Sequence, residues 1–189
     1  MNMLRQVRAG GTTLVLATAL LMLMSPGRVL ADSAEDIDSS VDASLQQLYQ
    51  SQPAAQMLAK SAKAILVFPN IVKAGFMFGG QYGEGALREN GATVGYYSSV
   101  AASYGFQAGV QVFGYAMFFM NENALSYLNK SDGFEIGVGP SIVIVDAGMG
   151  KSMTSTTLTQ DVYAFIFDQQ GLMAGAGIQG SKITKINRD

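Results

Sequence analysis

The sequence predicts an α+β fold in which N-terminal helices are followed by a strongly curved, glycine-rich and mainly antiparallel sheet that curls toward a barrel. Three observations predict it. Apolar residues recur at helical spacing only near the front, at Ile37, Val41, Leu45 and Leu48. After Lys63 the pattern changes to short apolar and alternating runs broken by turn residues. Beyond Ala31 the chain holds nineteen glycines, about 12 % against an average near 7 %, mixed with apolar residues rather than with Ser and Pro. Glycine used in that way suits tightly packed, sharply bent sheet.

The first thirty-one residues read as a secretory signal. Arg5 and Arg8 form a positive start, Thr12 to Met24 an apolar stretch, and Val29-Leu30-Ala31 offers small residues for cleavage after Ala31. The apolar stretch is short of the roughly 20 residues a membrane span needs, so an uncleaved anchor is the weaker reading. The expectation is an exported protein, periplasmic or secreted, with one domain over 32–189: helices over 33–62 and a sheet-rich core over 63–187. Setting aside Arg5, Arg8 and Arg28 leaves nine basic against fourteen acidic residues, a formal charge of −5. The excess sits at Asp32, Glu35, Asp36, Asp38 and Asp42, and from Ala43 onward the charges balance. No general pull toward nucleic acid follows from such a balance.

Within the domain, acidic residues in the first turns suit the positive end of the first helix's dipole. Pro53 opens a second short helix through about Ala62. Ala64 to Phe68 is a buried strand closed by Pro69-Asn70, followed by Gly-rich strand segments over Lys73–Gly80 and Tyr82–Arg88. Asn90-Gly91 turns the chain back into Thr93–Ser98. Tyr104 to Met120 reads as bent strand, with the Phe113–Met120 run as core. Asn121 caps a short helix, and Phe134 to Val145 returns to strand. Val162–Phe167 and Leu172–Gln179, joined at Gln169-Gln170-Gly171, form a last hairpin, and Lys182 to Ile186 closes the sheet with Ile183 inward and Lys182 outward.

With no histidine and no cysteine, triad catalysis and ordinary zinc, haem or iron–sulfur ligation are excluded. Gly175 to Gly180 matches G-x-G-x-x-G, but a dinucleotide site needs a following helix and an acid about 20 positions on, and only nine residues remain. Gly148-Met149-Gly150-Lys151-Ser152 resembles the end of a phosphate loop, yet Val145 stands where glycine is required, and an exposed polar loop is the better reading. A carboxylate hydrolase would pair Glu84 with Glu89, Glu135, Asp146, Asp161 or Asp168, although isolated acids are mostly solvated surface groups. No catalytic residue, metal, cofactor or nucleotide is therefore expected. Lys60, Lys63 and Lys73 bracket the first strand. If the last strand closes beside the first, Lys182, Lys185 and Arg188 would pool with them into a rim for lipid phosphate.

The run AKAILVFPNIVKAGFMFGGQYGEGAL, Ala62 to Leu87, resembles the opening signature of the SYLF domain family. The likeness continues through YYSSVAASYGFQAGVQ, NENALSYL and DVYAFIFDQQGLMAGAGIQGSKITKI, covering about Ala54 to Ile186. The resemblance implies a phospholipid- or phosphoinositide-binding module without catalytic activity, acting on a membrane surface. In the bacterial members it implies an exported envelope protein, and actin, a partner of yeast relatives, is not expected in that compartment. Eukaryotic members dock an N-terminal amphipathic helix on membrane. Here that stretch is acidic, departing from the basic polar face of an interfacial helix. Location near the signature makes Lys60, Lys63, Lys73 and Arg88 the lipid-binding candidates. A periplasmic structural or protein-interaction module is the alternative.

Overall fold

In the computed structural model, residues 32–130, 134–135, 139–154 and 158–188 are described; the expected signal segment 1–31 lies outside them. Helix α1 (Ala34–Ser51) starts where the Ser33 side chain accepts the Asp36 amide at 3.2 Å, with Glu35 and Asp36 in the first turn. Its apolar stripe is the one expected: Ile37, Val41 and Leu48 are buried and Leu45 packs at their edge. Pro53 opens helix α2 (Pro53–Ala59), which buries Ala54, Ala55 and Leu58.

Strand β1 (Ala64–Glu89) turns at Asn90-Gly91 into β2 (Ala92–Phe119). Both turn residues have positive φ, 51° and 84°, as a two-residue hairpin that matches strand twist requires. Helix α3 (Glu122–Leu128) follows, its Ala124 amide donating to the Asn121 side chain at 2.9 Å. Next come β3 (Phe134–Glu135), β4 (Ile142–Ile144), helix α4 (Ala147–Ser152) and β5 (Val162–Ile186). The sheet runs β1-β2-β5-β3, with β4 also alongside β5. All pairings are antiparallel except β4 with β5. The chain is thus α+β, with helices ahead of a strongly curled half-barrel sheet.

The curl comes from β1 doubling back on itself. A Cβ added to Gly83 would lie 2.8 Å from the Asn70 carbonyl oxygen, and one on Gly85 would overlap the Val67 carbonyl. Nearer the bend, a Cβ on Gly75 would lie 2.6 Å from the Gly79 Cα. Between them Met77 sits at φ 62°, where the register with β2 shifts. β2 and β5 follow β1 through the fold, paired residue by residue. Two cores result. On the concave side Leu66, Phe68, Ile71, Leu87, Tyr97, Met117, Phe119 and Ile183 pack together with α3. On the other side Val67, Ala86, Ala116, Phe118 and Phe165 pack under α1 and α2. Phe118 and Phe165 meet edge to face at 5.4 Å.

Three local expectations are corrected. Gln169-Gln170-Gly171 is no hairpin: β5 runs straight through, and Gln170 and Phe167 pair with Val112 and Gly114 of β2. The positive φ at Asp168 (50°) and Gly171 (92°), which a turn would have used, goes into a bulge instead. The segment from Gly148 is not a polar loop but the body of α4, because Asp146 accepts the Met149 amide at 2.7 Å and starts a helix there. Within Phe134 to Val145, only 134–135 and 142–144 are assigned strand among the described residues.

Candidate functional site

Because β1 folds back, its two ends meet beneath the helices. Ala64 and Ile65 at its start lie across from Arg88, Asn90 and Gly91 at its end, and α1 and α2 form the opposite wall. The space between is a groove of about 550 Å³. Leu45, Tyr49, Ala62 and Ile65 give it an apolar floor, since each packs partly buried against the helix-side core. Lys60 and Lys63 stand on its rim. The Lys63 Nζ lies 3.7 Å from Glu122, an ion pair exposed on both sides and so weak. Burial pushes the Tyr49 hydroxyl above its ordinary pKa, keeping it a neutral donor at the groove wall.

The four expected lipid-binding residues separate into three situations. Lys60 and Lys63 share the groove. Arg88 also lines it, but its guanidinium is engaged from α1, by the Asp42 Oδ1 at 2.8 Å and the Asp38 carbonyl at 3.1 Å. Only 11 % of that side chain is exposed, and its Nε is buried with no hydrogen-bond partner among the described residues. Asp38 further accepts from Thr93 at 2.7 Å and Tyr96 at 3.1 Å, so the cluster pins α1 to the β1–β2 hairpin. Lys73 sits elsewhere, opposite Gln111 and toward the bend of β1.

The expected pooling of C-terminal cations does not occur, because β5 pairs with β2 and not with β1. Arg188 instead reaches Glu84, with Nε 3.0 Å from Oε2 and a second, shorter contact to Oε1. Tyr82 donates to the same carboxylate. Burial pushes the Glu84 carboxyl up, but the bonds from Arg188 and Tyr82 and the Arg188 charge outweigh it and hold it below the usual value. Burial, then the bond to Glu84, push Tyr82 up to about 12.

Two of the other acids proposed for hydrolysis have structural partners too. Asp161 accepts from Asn121 at 2.8 Å and from the Ser141 amide and hydroxyl at 3.1 and 3.0 Å, and these bonds lower its pKa. Asp146 caps α4. The Glu135 side chain lies outside the description. Among the described residues no cluster of three or more acids is arranged to hold a metal, and no helix is long and apolar enough to cross a membrane. The groove floor was missed in the sequence, since Tyr49 and Ile65 meet only through the fold; their apolar spacing near Lys60 and Lys63 was the available signal.

Residues 100–189 match the family model described as Ysc84, Las17-binding protein actin regulator. Over those residues the chain is similar to the SYLF family. The SYLF match takes in the second part of β2 and everything after it, and stops short of α1, α2 and β1. Lys60, Lys63, Lys73 and Arg88 therefore all lie outside the matched stretch. No curated protein matches the chain.

Proposed function

We propose that the protein is a non-enzymatic phospholipid-binding protein of the bacterial envelope, acting after export and signal cleavage near Ala31. The observation that carries this reading is the groove: two lysines stand over an apolar floor in about 550 Å³. Ammonium groups donate to a phosphate as charge-assisted bonds, while Leu45, Tyr49 and Ile65 accept the first methylenes of an acyl chain. Arg88 contributes positive charge at the back of the groove while it holds α1. Lys73 is left for contact with a membrane surface outside the groove. SYLF proteins are not a known enzyme family, and the acids Glu84, Asp146 and Asp161 are occupied in structural bonds.

Sedimentation with vesicles of phosphatidylcholine, with and without phosphatidylglycerol, tests the proposal. Each exposed lysine near an anionic surface is worth about 1 kcal/mol, so replacing both Lys60 and Lys63 by Ala should weaken anionic-lipid binding by about thirtyfold. Wild-type protein that neither sediments with vesicles nor carries lipid through purification would sink the reading. A second reading, a protein-interaction module, draws on the family description, which names a protein, Las17, as what its members bind. Capture of one stoichiometric protein, without lipid, would select it.

A further inference from the structure

Among the described residues, several large hydrophobics are exposed together at the bend of the sheet. Ala74 of β1, Val110 of β2 and Leu172 of β5 form one cross-strand row. Val72 and Phe76 lie two positions to either side of Ala74, so alternation puts them on that same face. This is the convex face, since Ile71, of the other parity, is in the concave core. Leu172 is 89 % exposed, Phe76 76 %, Val110 54 % and Val72 46 %, with Met77 at the turning point 48 % exposed. Isolated exposed apolar residues are ordinary, but a contiguous set on a protruding edge marks an interaction site.

The chemistry of the edge says what it meets. Residues 74–81, 101–110 and 172–181, the three strand stretches that make the bend, contain no charged residue. The charges that border these stretches most closely are Lys73, opposite Gln111, and Lys182, in the row with Val100 and Tyr82. Lys182 and Tyr82 are exposed. An uncharged apolar edge with lysine and tyrosine set back on its flanks matches the layers of a bilayer surface, where lysine reaches phosphate and tyrosine rests among headgroups. Along 101–104 and 108–110 β2 is paired to β1 on one side, and along 101–110 to β5 on the other, so most of its backbone groups can enter an apolar medium already bonded.

We infer that this bend is a membrane-insertion edge that carries Phe76, Met77, Val110 and Leu172 into the interfacial layer of a lipid bilayer. It shares with the groove reading only the premise that the protein meets lipid, and the two can fail separately. The chain has no tryptophan, so Phe76→Trp places a single reporter at the edge. Vesicles of phosphatidylcholine alone, and with phosphatidylglycerol, should shift its emission to the blue, and brominated acyl chains should quench it, in low and high salt alike. Adding Leu172→Ser should lower partitioning by about tenfold, the contribution of one large apolar side chain. Two results overturn the inference. One is emission unchanged by vesicles in protein that is folded by circular dichroism. The other is a blue shift without vesicles that grows with protein concentration, which would make a second copy the occupant. A water-soluble short-chain phosphatidylglycerol, added below its micelle concentration, separates the two readings. Binding it while the position-76 indole stays wet in vesicles leaves the groove standing and the edge refuted; insertion without such binding does the reverse.

Discussion

Two glycines in this chain look alike on paper and carry opposite constraints. Gly91 needs φ 84° but has open space around the position of a side chain. Gly85 has ordinary backbone, but a Cβ there would overlap the Val67 carbonyl on the opposite limb of the same strand. Gly91→Ala should therefore cost about 1 kcal/mol of conformational strain. Gly85→Ala must push two limbs of the sheet apart and should cost more, about 3 kcal/mol, as overpacked cores do. Urea unfolding of both variants checks the order; equal effects would mean the fold-back is not as tight as described. Gly91 was legible because Asn-Gly acts on its neighbours. Gly85 was not, because what it touches lies eighteen positions earlier. Arg88 is a similar case: its number near the family signature suggested a lipid contact, while Asp38 and Asp42, on a helix far off in sequence, decide what its guanidinium bonds to.

At the level of elements, local signals named most helices and strands. Pro53 and Asn121 mark helix starts through ring geometry or a bond confined to one turn, and the Ser33 cap of α1 emerges only from the structure. Local signals misread Gln169 to Gly171 as a turn, where the chain makes a bulge inside a continuous strand. Long-range pairing wins there: β2 offers β5 a partner from Tyr96 to Phe119 with a single shift between Val112 and Gly114, and a hairpin would leave its amides unpaired. The two arrangements predict different neighbours for Leu172, Val110 in the observed sheet and a residue near Phe167 in a hairpin. In a chain without cysteine, the pair Val110→Cys and Leu172→Cys should close a disulfide in monomer under mild oxidation, since directly opposed residues have Cβ atoms about 5 Å apart. Absence of that crosslink in folded protein would return the hairpin.

Over the whole molecule, Arg188 at one end of the chain is bonded to Glu84 in the first strand, with Tyr82 on the same carboxylate. This contact ties β1 to the end of β5 across β2. The Glu84 pKa is depressed on folding from its ordinary 4.5, so its contribution is present above that value and lost as pH falls through the lower folded one. Tyr82 is raised from 10.0 to about 12, so its contribution is complete below pH 10 and lost as pH rises through about 12. Chemical unfolding across pH should show the acid limb, and Glu84→Gln should flatten it. An unchanged acid limb in that variant would assign the effect to other carboxylates. The same doubling of the sheet makes both proposed surfaces, because it brings the ends of β1 together at the groove and leaves its middle exposed at the bend.

Composition and local pattern alone determined the helices at the front, the Asn90-Gly91 hairpin, the aromatic core run and the absence of histidine and cysteine chemistry. These depend on residues within a turn or two of one another, or on residue types that are missing. Which strand pairs with the last one, which cations share the groove and which apolar residues stay in water were decided only by the tertiary structure. The reason is the fold-back of β1: it sets residues from its two ends side by side and turns its charge-free middle outward, and no local preference encodes contacts made across that bend.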